Sequence, residues 1–218
     1  MGIVGSLGRL DETLFPDALR YFQRLLEREL TGCESLLDVG CGSHSPIRAF
    51  SSRVPLTVGV DDHAPSIERS RAAGIHDRYE RMDILDVAEA FEPDAFDAVI
   101  ALDVIEHFEK SDGLRLLDAL ETVARRVVGV LTPNGYVAQG EYEENPGQVH
   151  LSGWTTEEFA ERGYRVVGIN GWRPLRGELA LPRVKPDWLG WRLAKGSQRF
   201  VRDHPRRAFH LLALKDIG

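Results

Sequence analysis

The chain has 218 residues, of which 43% are hydrophobic, and this is enough for one domain with a sizeable core. A formal net charge of −7 argues against general nucleic-acid binding by the whole surface, although it allows a local basic patch. No apolar run approaches the roughly 20 residues of a membrane span, and no signal-like leader opens the chain, so a cytoplasmic protein is expected. Cys33 and Cys41 lack the spacing of a zinc site and are expected to be reduced thiols.

The N-terminal third predicts a helix followed by a strand and a glycine turn. Residues 11–30 carry apolar side chains at helical spacing, which indicates an amphipathic helix packed on the body of the protein. A buried strand over residues 35–39 runs into Gly40 and Gly42, and a helix is expected after Pro46. Glycine lets the backbone turn sharply and lets a ligand approach the main chain. The pattern predicts a nucleotide-like cofactor at the carboxyl edge of an α/β sheet.

Strands and helices then alternate along the chain, which predicts a doubly wound parallel sheet. The expected strands cover residues 56–60, 79–82, 96–102 and 127–131. The expected helices cover residues 64–73 and a segment capped by Ser111, and a short helix starts after Thr155 with Glu158 completing a capping box.

Acidic residues follow the second and third expected strands. Asp61 and Asp62 come about 20 residues after the glycine turn, where an acid can accept hydrogen bonds from ribose hydroxyls. Asp83 follows the third strand and can accept a hydrogen bond from the amine of an adenine. The neighbouring Met82 and Ile84 would supply apolar contact to that ring.

Five sequence motifs follow one another along the chain in this order: LLDVGCG, VGVD, MDI, FDAVIALDVIEH and LTPNG. Together they resemble the class I S-adenosylmethionine-dependent methyltransferases, of the type 11 and type 12 kind, over residues 36–135. The resemblance implies a Rossmann-like α/β fold with a doubly wound seven-stranded sheet whose last strand is antiparallel. Residues 164–169 and 209–214 would form the last two strands. His44 departs from the pattern, because the family often has a third glycine there.

A single domain is expected over residues 1–218. It would comprise an N-terminal helix in 1–33, a cofactor-binding core in 34–135 and a substrate side in 136–218. The resemblance implies S-adenosylmethionine as cofactor. The residues implied to bind it are Asp38, Gly40, Cys41, Gly42, Asp61, Asp62, Met82, Asp83, Ile84 and Leu102. A nicotinamide cofactor is the weaker alternative, because Ser45 stands where a dinucleotide motif has its third glycine.

Asp103, Glu106 and His107 have spacings of three and four, which would place them on one side of a helical turn. The run resembles the magnesium-binding run of the ubiquinone-pathway O-methyltransferases and the small-RNA 2′-O-methyltransferases. In the small-RNA enzymes a metal-binding histidine stands four residues before a tryptophan, as His150 stands before Trp154 here. Two interpretations stay open. In the first, Asp103, Glu106, His107 and His150 hold a divalent metal such as Mg²⁺. In the second, the site is metal-free and His150 or His107 acts as the base.

The expected activity is methyl transfer to a hydroxyl of a small-molecule or glycan-like acceptor. A metal-dependent enzyme acting on a nucleotide or RNA ribose, and a non-catalytic cofactor-binding subunit, are the alternatives. The acceptor atom, whether oxygen, nitrogen or carbon, leaves no secure mark in the sequence.

The segment from Arg183 to Arg207 is positively charged, whereas the chain as a whole has a negative net charge. It carries eight basic residues against Asp187 and Asp203, and tryptophan and proline are frequent around it. One interpretation is a solvated insertion before the last strand. The other is contact with an anionic acceptor or peripheral contact with an anionic membrane surface through residues 183–207.

Overall fold

The computed structural model describes residues 21–139, 146–177 and 181–218. Half of the expected first helix, residues 11–20, lies outside the described residues. The strands are β1 Ser35–Val39, β2 Leu56–Asp61, β3 Arg78–Arg81, β4 Phe96–Leu102, β5 Ala124–Pro133, β6 Arg165–Trp172 and β7 Ala208–Asp216. The helices are α1 Tyr21–Glu29, α2 Ala64–Ala72, α3 Val87–Ala90, α4 Lys110–Val123, α5 Thr156–Glu161, α6 Asp187–Gly196 and α7 Gln198–Arg202.

The strands form one seven-stranded sheet in the order β3-β2-β1-β4-β5-β7-β6. Strands β1 to β5 pair in parallel, whereas β7 lies antiparallel between β5 and β6. The Rossmann-like fold expected from the sequence is therefore confirmed, including its antiparallel last strand. The order reverses at β1 and β4, and ligands of such sheets bind beyond the carboxyl ends of the strands at that point.

Several element boundaries differ from the sequence-based expectation. Strand β5 extends through Thr132 and Pro133, because its partner β7 continues the hydrogen-bonded ladder to this point. Helix α4 starts at Lys110 with Glu109 as its N-cap residue, so the prediction that Ser111 caps it was wrong. The helix expected after Pro46 is a short 3₁₀ turn, Pro46–Ala49. The capping box of α5, by contrast, forms as predicted.

Two apolar clusters cover the two faces of the sheet. Because side chains alternate along a strand, Leu37 and Val39 of β1 enter one cluster and Leu36 enters the other. Helix α4 closes the first cluster with Leu116 and its apolar neighbours, and α1 closes the second. Full burial of one such leucine contributes about 1.5–3 kcal/mol. Both faces are thus covered, and the carboxyl edge is left for ligands.

Candidate active site

The glycine turn after β1 depends on backbone conformations that only glycine adopts easily. Gly40 has φ +71° and Gly42 has φ +55°. A Cβ on Gly40 would also come within 2.6 Å of a methyl carbon of Val104, so the turn packs directly on the loop after β4. Asp61 holds the turn from β2, since its Oδ2 accepts a hydrogen bond of 2.8 Å from the Gly42 amide.

Asp38 lies beneath the turn and is fully buried. Its Oδ2 accepts a hydrogen bond of 2.5 Å from the Ser45 hydroxyl and lies 2.9 Å from Nε2 of His76. His76 is equally buried and packs edge-to-face against Tyr79. Asp38 therefore supports the glycine turn from below through Ser45, and its carboxylate is engaged by protein groups.

A cleft of about 230 Å³ opens above the turn, at the carboxyl edge of the sheet. Six of the ten residues that the sequence implied for the cofactor line it: Gly40, Gly42, Asp61, Asp62, Asp83 and Ile84. The remaining four do not line it: Asp38, Cys41, Met82 and Leu102. Met82 and Leu102 pack in the apolar clusters, Asp38 pairs with the buried His76, and the Cys41 sulfur lies against Gly59 of β2.

The acids of this cleft suit a ligand with hydroxyl and amine groups. Asp61 Oδ1 accepts a hydrogen bond of 2.9 Å from the His63 amide, and burial raises the pKa of this carboxyl. Asp83 caps a short turn, because its Oδ1 accepts a hydrogen bond from the Leu85 amide at 2.9 Å. Each carboxylate keeps lone pairs for further donors, such as ribose hydroxyls at Asp61 and an amine at Asp83.

A second cavity of about 500 Å³ lies beside the cleft, between the ends of β4, β5 and β7. It is lined by Pro133, Phe209, His210 and further side chains from the loop after residue 136. The cleft and this cavity have three lining residues in common: Asp103, His107 and Gln148. A molecule in the cavity would therefore meet the end of a ligand in the cleft at these residues.

Glu106, His107 and His150 form a compact cluster in the wall of the cavity. One ligand atom of each lies within 4.8 Å of the other two, an arrangement that could hold a metal ion. Glu106 is buried, and its Oε2 accepts a hydrogen bond of 2.9 Å from Thr132. Its Oε1 is also buried and has no hydrogen-bond partner among the described residues. A buried carboxylate oxygen of this kind is costly unless a cation or a proton satisfies it.

The two histidines of the cluster are held with one ring nitrogen towards the backbone. His150 Nδ1 donates to the Val137 carbonyl at 2.7 Å, and His107 Nδ1 lies 3.3 Å from the Val149 carbonyl. A carbonyl only accepts hydrogen bonds, so Nδ1 carries the proton and Nε2 keeps a free lone pair. Burial lowers the pKa of His107 to about 4 and also lowers the pKa of His150. Both rings are thus neutral near neutral pH, the form that binds a metal or accepts a proton.

Comparison with known proteins points to a methyltransferase domain. Residues 37–139 match the model of the methyltransferase domain family. Uncharacterized methyltransferases of Mycobacterium tuberculosis and Mycobacterium bovis share 31% identity over 137 residues, which cover 60% of this chain and 64% of theirs. Over residues 37–139 the chain therefore matches a methyltransferase domain, which agrees with the resemblance to the class I S-adenosylmethionine-dependent methyltransferases.

The fold of the chain is shared with solved structures of low sequence identity. A SAM dependent methyltransferase from Archaeoglobus fulgidus has a TM-score of 0.55 at 15% identity, covering 94% of this chain and 98% of that one. The methyltransferase domain of bacterial CtHen1-C has a TM-score of 0.57 at 15% identity, covering 92% and 99%. Within the described residues, no helix is long and apolar enough to cross a membrane.

Asp103 stands apart from the cluster of Glu106, His107 and His150. Its backbone is left-handed, with φ +55°, and a 3₁₀ turn follows only from Ile105 to His107. The expectation that Asp103, Glu106 and His107 share one side of a helical turn was therefore wrong. Asp103 instead faces both cavities, and its Oδ1 lies 3.5 Å from Nε2 of His210. The cleft walls replace bulk water around this half-exposed carboxyl, which raises its pKa.

His210 is the main residue of the cavity that the sequence reasoning missed. It is buried at the start of β7, opposite Pro133 of β5, and the Asn170 side-chain amide lies 2.7 Å from its Nδ1. Burial, and then the charge of Arg176, lower its pKa to about 3. The attraction of Asp103 at 3.5 Å does not offset this burial. The sequence did contain a sign of this residue, because His210 is the one polar residue in the otherwise apolar run FHLLAL.

Proposed function

We propose that this chain transfers the methyl group of S-adenosylmethionine to a hydroxyl oxygen of a small or glycan-like acceptor. The observation that carries the proposal is the meeting of the cofactor cleft and the larger cavity at Asp103, His107 and Gln148. Transfer needs the acceptor oxygen in line with the methyl carbon and its sulfur, and a cofactor in the cleft with an acceptor in the cavity satisfies that requirement.

The reaction forms one bond and breaks one. The acceptor oxygen bonds to the methyl carbon, the carbon–sulfur bond breaks, and S-adenosylhomocysteine leaves with the electron pair on sulfur. The hydroxyl proton must go to a base, because a neutral hydroxyl is a poor nucleophile towards a sulfonium methyl group. The neutral His107 and His150 rings, and the carboxylate of Asp103, are the groups of the cavity that could take it.

We further propose that Glu106, His107 and His150 hold a divalent cation. When bound, such a cation would lower the pKa of the acceptor hydroxyl and orient its oxygen. Three features of the chain support this. Glu106 Oε1 is buried without a partner among the described residues, the Nδ1 atoms of both histidines face backbone carbonyls, and one ligand atom of each of the three residues lies within 4.8 Å of the others. One carboxylate and two imidazoles form a mixed oxygen and nitrogen ligand set that suits a divalent first-row metal such as Mn²⁺.

A metal-free site is the second candidate, favoured by the geometry of His150. Because its Nδ1 donates to the Val137 carbonyl, its Nε2 can accept the acceptor proton directly. The two candidates differ in one readout. Removal of divalent cations with a chelator abolishes transfer in the first and leaves it unchanged in the second.

His150→Ala tests the proposal. We expect it to reduce methyl transfer from radiolabelled S-adenosylmethionine to a mixture of hydroxyl-bearing small molecules and glycans by at least 100-fold. Its affinity for S-adenosylhomocysteine, measured by calorimetry, should stay unchanged, because His150 does not line the cofactor cleft. The exposed His204→Ala serves as the matched control. Turnover of His150→Ala close to that of the unaltered protein would overturn the role of His150.

A further inference from the structure

Helices α6 and α7 present two contrasting faces. Their inner face carries Gly190, Ala194, Gln198 and Val201, all buried. The Gln198 amide donates to the Gly168 carbonyl of β6 at 2.7 Å, which fixes the helices on the edge strand. Two glycines of that strand permit the approach: a Cβ on Gly168 would come within 2.1 Å of the Val201 carbonyl oxygen, and one on Gly171 within 2.0 Å of the Ala194 carbonyl oxygen.

The outer face of the same helices carries large apolar side chains in contact with solvent. Trp188, Leu193 and Phe200 are exposed by 59%, 45% and 47%. The helical path continues from α6 into α7, because the Ser197 amide bonds to the Leu193 carbonyl and the Phe200 amide bonds to the Ser197 carbonyl. With 3.6 residues per turn, Leu193 and Phe200 point in nearly the same direction, and Trp188 lies about 120–140° away on the same exposed half of the helices.

Basic side chains surround this apolar group. Arg192 and Arg199 lie on the same outer face, and Arg183 and Lys185 lie in the segment that leads into α6, all four exposed. The acidic residues of the segment are Asp187, which pairs with Lys185, and Asp203, which pairs with Arg202. From Arg183 to Arg207, eight basic residues thus face two acidic ones in a chain whose net charge is −7.

We propose that the outer face of α6 and α7 docks on an anionic lipid surface. Apolar side chains with a basic rim are the composition of a helix that lies in the membrane interface, and tryptophan favours that depth. Leu193, together with the neighbouring Leu181, favours lipid over nucleic acid, because an aliphatic side chain gains from acyl chains but does not stack on a base. The local positive charge complements anionic headgroups despite the negative net charge of the chain.

The docking face adjoins the acceptor cavity. Leu181 lines that cavity and is 54% exposed, and the segment after it packs under α6, where a Cβ on Gly190 would come within 2.6 Å of Pro182. Docking would therefore bring the Leu181 side of the cavity to the lipid surface. This part rests on the proposed function and makes the acceptor an amphiphile whose hydroxyl lies at the interface.

Vesicle sedimentation tests the docking face without any acceptor or cofactor. Vesicles of phosphatidylcholine alone should bind the protein at least tenfold more weakly than vesicles with 30% phosphatidylglycerol, a composition of our choosing, and added salt should weaken the anionic binding. Trp188→Ser with Phe200→Ser, and separately Arg183→Glu with Arg199→Glu, should each reduce binding to anionic vesicles at least tenfold. The matched control, Leu114→Ser with Arg115→Glu on the exposed face of α4, should bind like the unaltered protein.

Every variant is first checked for an unchanged thermal unfolding midpoint and unchanged affinity for S-adenosylhomocysteine. Absence of binding to anionic vesicles overturns the proposal, as does an equal loss in the α4 control. Binding of a single-stranded RNA through the same residues, without vesicle binding, overturns it in favour of a nucleic-acid partner. Vesicle binding by a protein that transfers no methyl group would contradict the proposed function and leave the docking face standing.

Discussion

Thr132 Oγ1 donates a hydrogen bond of 2.9 Å to Oε2 of the buried Glu106. This bond fixes the carboxylate, whose other oxygen, Oε1, is buried without a partner among the described residues and so remains for a ligand. Thr132 is the ninth residue of β5, and the antiparallel partner β7 extends that strand far enough to place it there. The geometry of the proposed cation site thus depends on a side chain that touches neither cation nor acceptor.

Thr132→Val should weaken Mn²⁺ binding by about 10- to 100-fold, the usual cost of losing a side chain that orients a ligand. Thr132→Ser, which keeps the hydroxyl, should bind Mn²⁺ like the unaltered protein. Electron paramagnetic resonance titration of free Mn²⁺ measures both affinities. Equal Mn²⁺ affinities in the valine and serine variants would show that Thr132 does not orient Glu106.

His210→Gln should reduce the acid sensitivity of the fold. Because the folded-state pKa of His210 is lowered to about 3, the unfolded chain binds a proton that the folded chain does not between about pH 6.5 and pH 3. Stability is therefore lost as the pH falls through this window, by up to about 1.4 kcal/mol per pH unit from this group. Urea unfolding at pH 7 and pH 5 should give a shallower loss for His210→Gln than for the unaltered protein. An unchanged slope would contradict the lowered pKa.

His76→Phe should destabilise the protein by about 1–3 kcal/mol, because it removes a hydrogen-bond partner of the buried Asp38 carboxylate. Replacement of both residues, in Asp38→Leu with His76→Phe, should cost less than the sum of the two single changes. The exposed His44→Phe should stay within about 0.5 kcal/mol of the unaltered protein. Urea unfolding measures all four. Additive costs would mean that Asp38 and His76 do not form a coupled pair.

Gly40→Ala and Gly42→Ala separate backbone strain from crowding in the cofactor turn. Both positions have positive φ, so each substitution should cost about 1–2 kcal/mol of stability. Gly40→Ala should cost about 1–3 kcal/mol more, because its Cβ meets Val104 at 2.6 Å, whereas a Cβ on Gly42 meets nothing within 4 Å. Val104→Ala should recover part of the extra cost. Equal losses at the two glycines, measured by urea unfolding, would contradict the packing of the turn on Val104.

The sequence was most informative where function depends on strand ends. Because parallel strands bring their carboxyl ends to one edge, the positions of Asp61 and Asp83 in the cleft above the glycine turn could be predicted from local patterns alone. The sequence was less informative about the direction of side chains. Met82 and Leu102 directly precede cleft residues in the sequence, yet their side chains pack in the apolar clusters.

Two features of the acceptor side depend on tertiary structure and could not be read from spacing. The left-handed backbone of Asp103 separates it from Glu106 and His107, although their spacing suggests a helical turn. His210 reaches the cavity only because β7 inserts antiparallel beside β5, a pairing between distant parts of the chain. Local periodicity carries no information about either.

A crystal structure with S-adenosylhomocysteine and Mn²⁺ tests the central claim most directly. We expect the adenosine in the cleft, with its ribose at Asp61 and its adenine amine at Asp83, and the sulfur facing the cavity at Asp103 and His107. An anomalous Mn²⁺ peak should lie between Glu106, His107 and His150. A sulfur that points away from the cavity, or a cleft that takes no S-adenosylhomocysteine, would contradict methyl transfer at this junction.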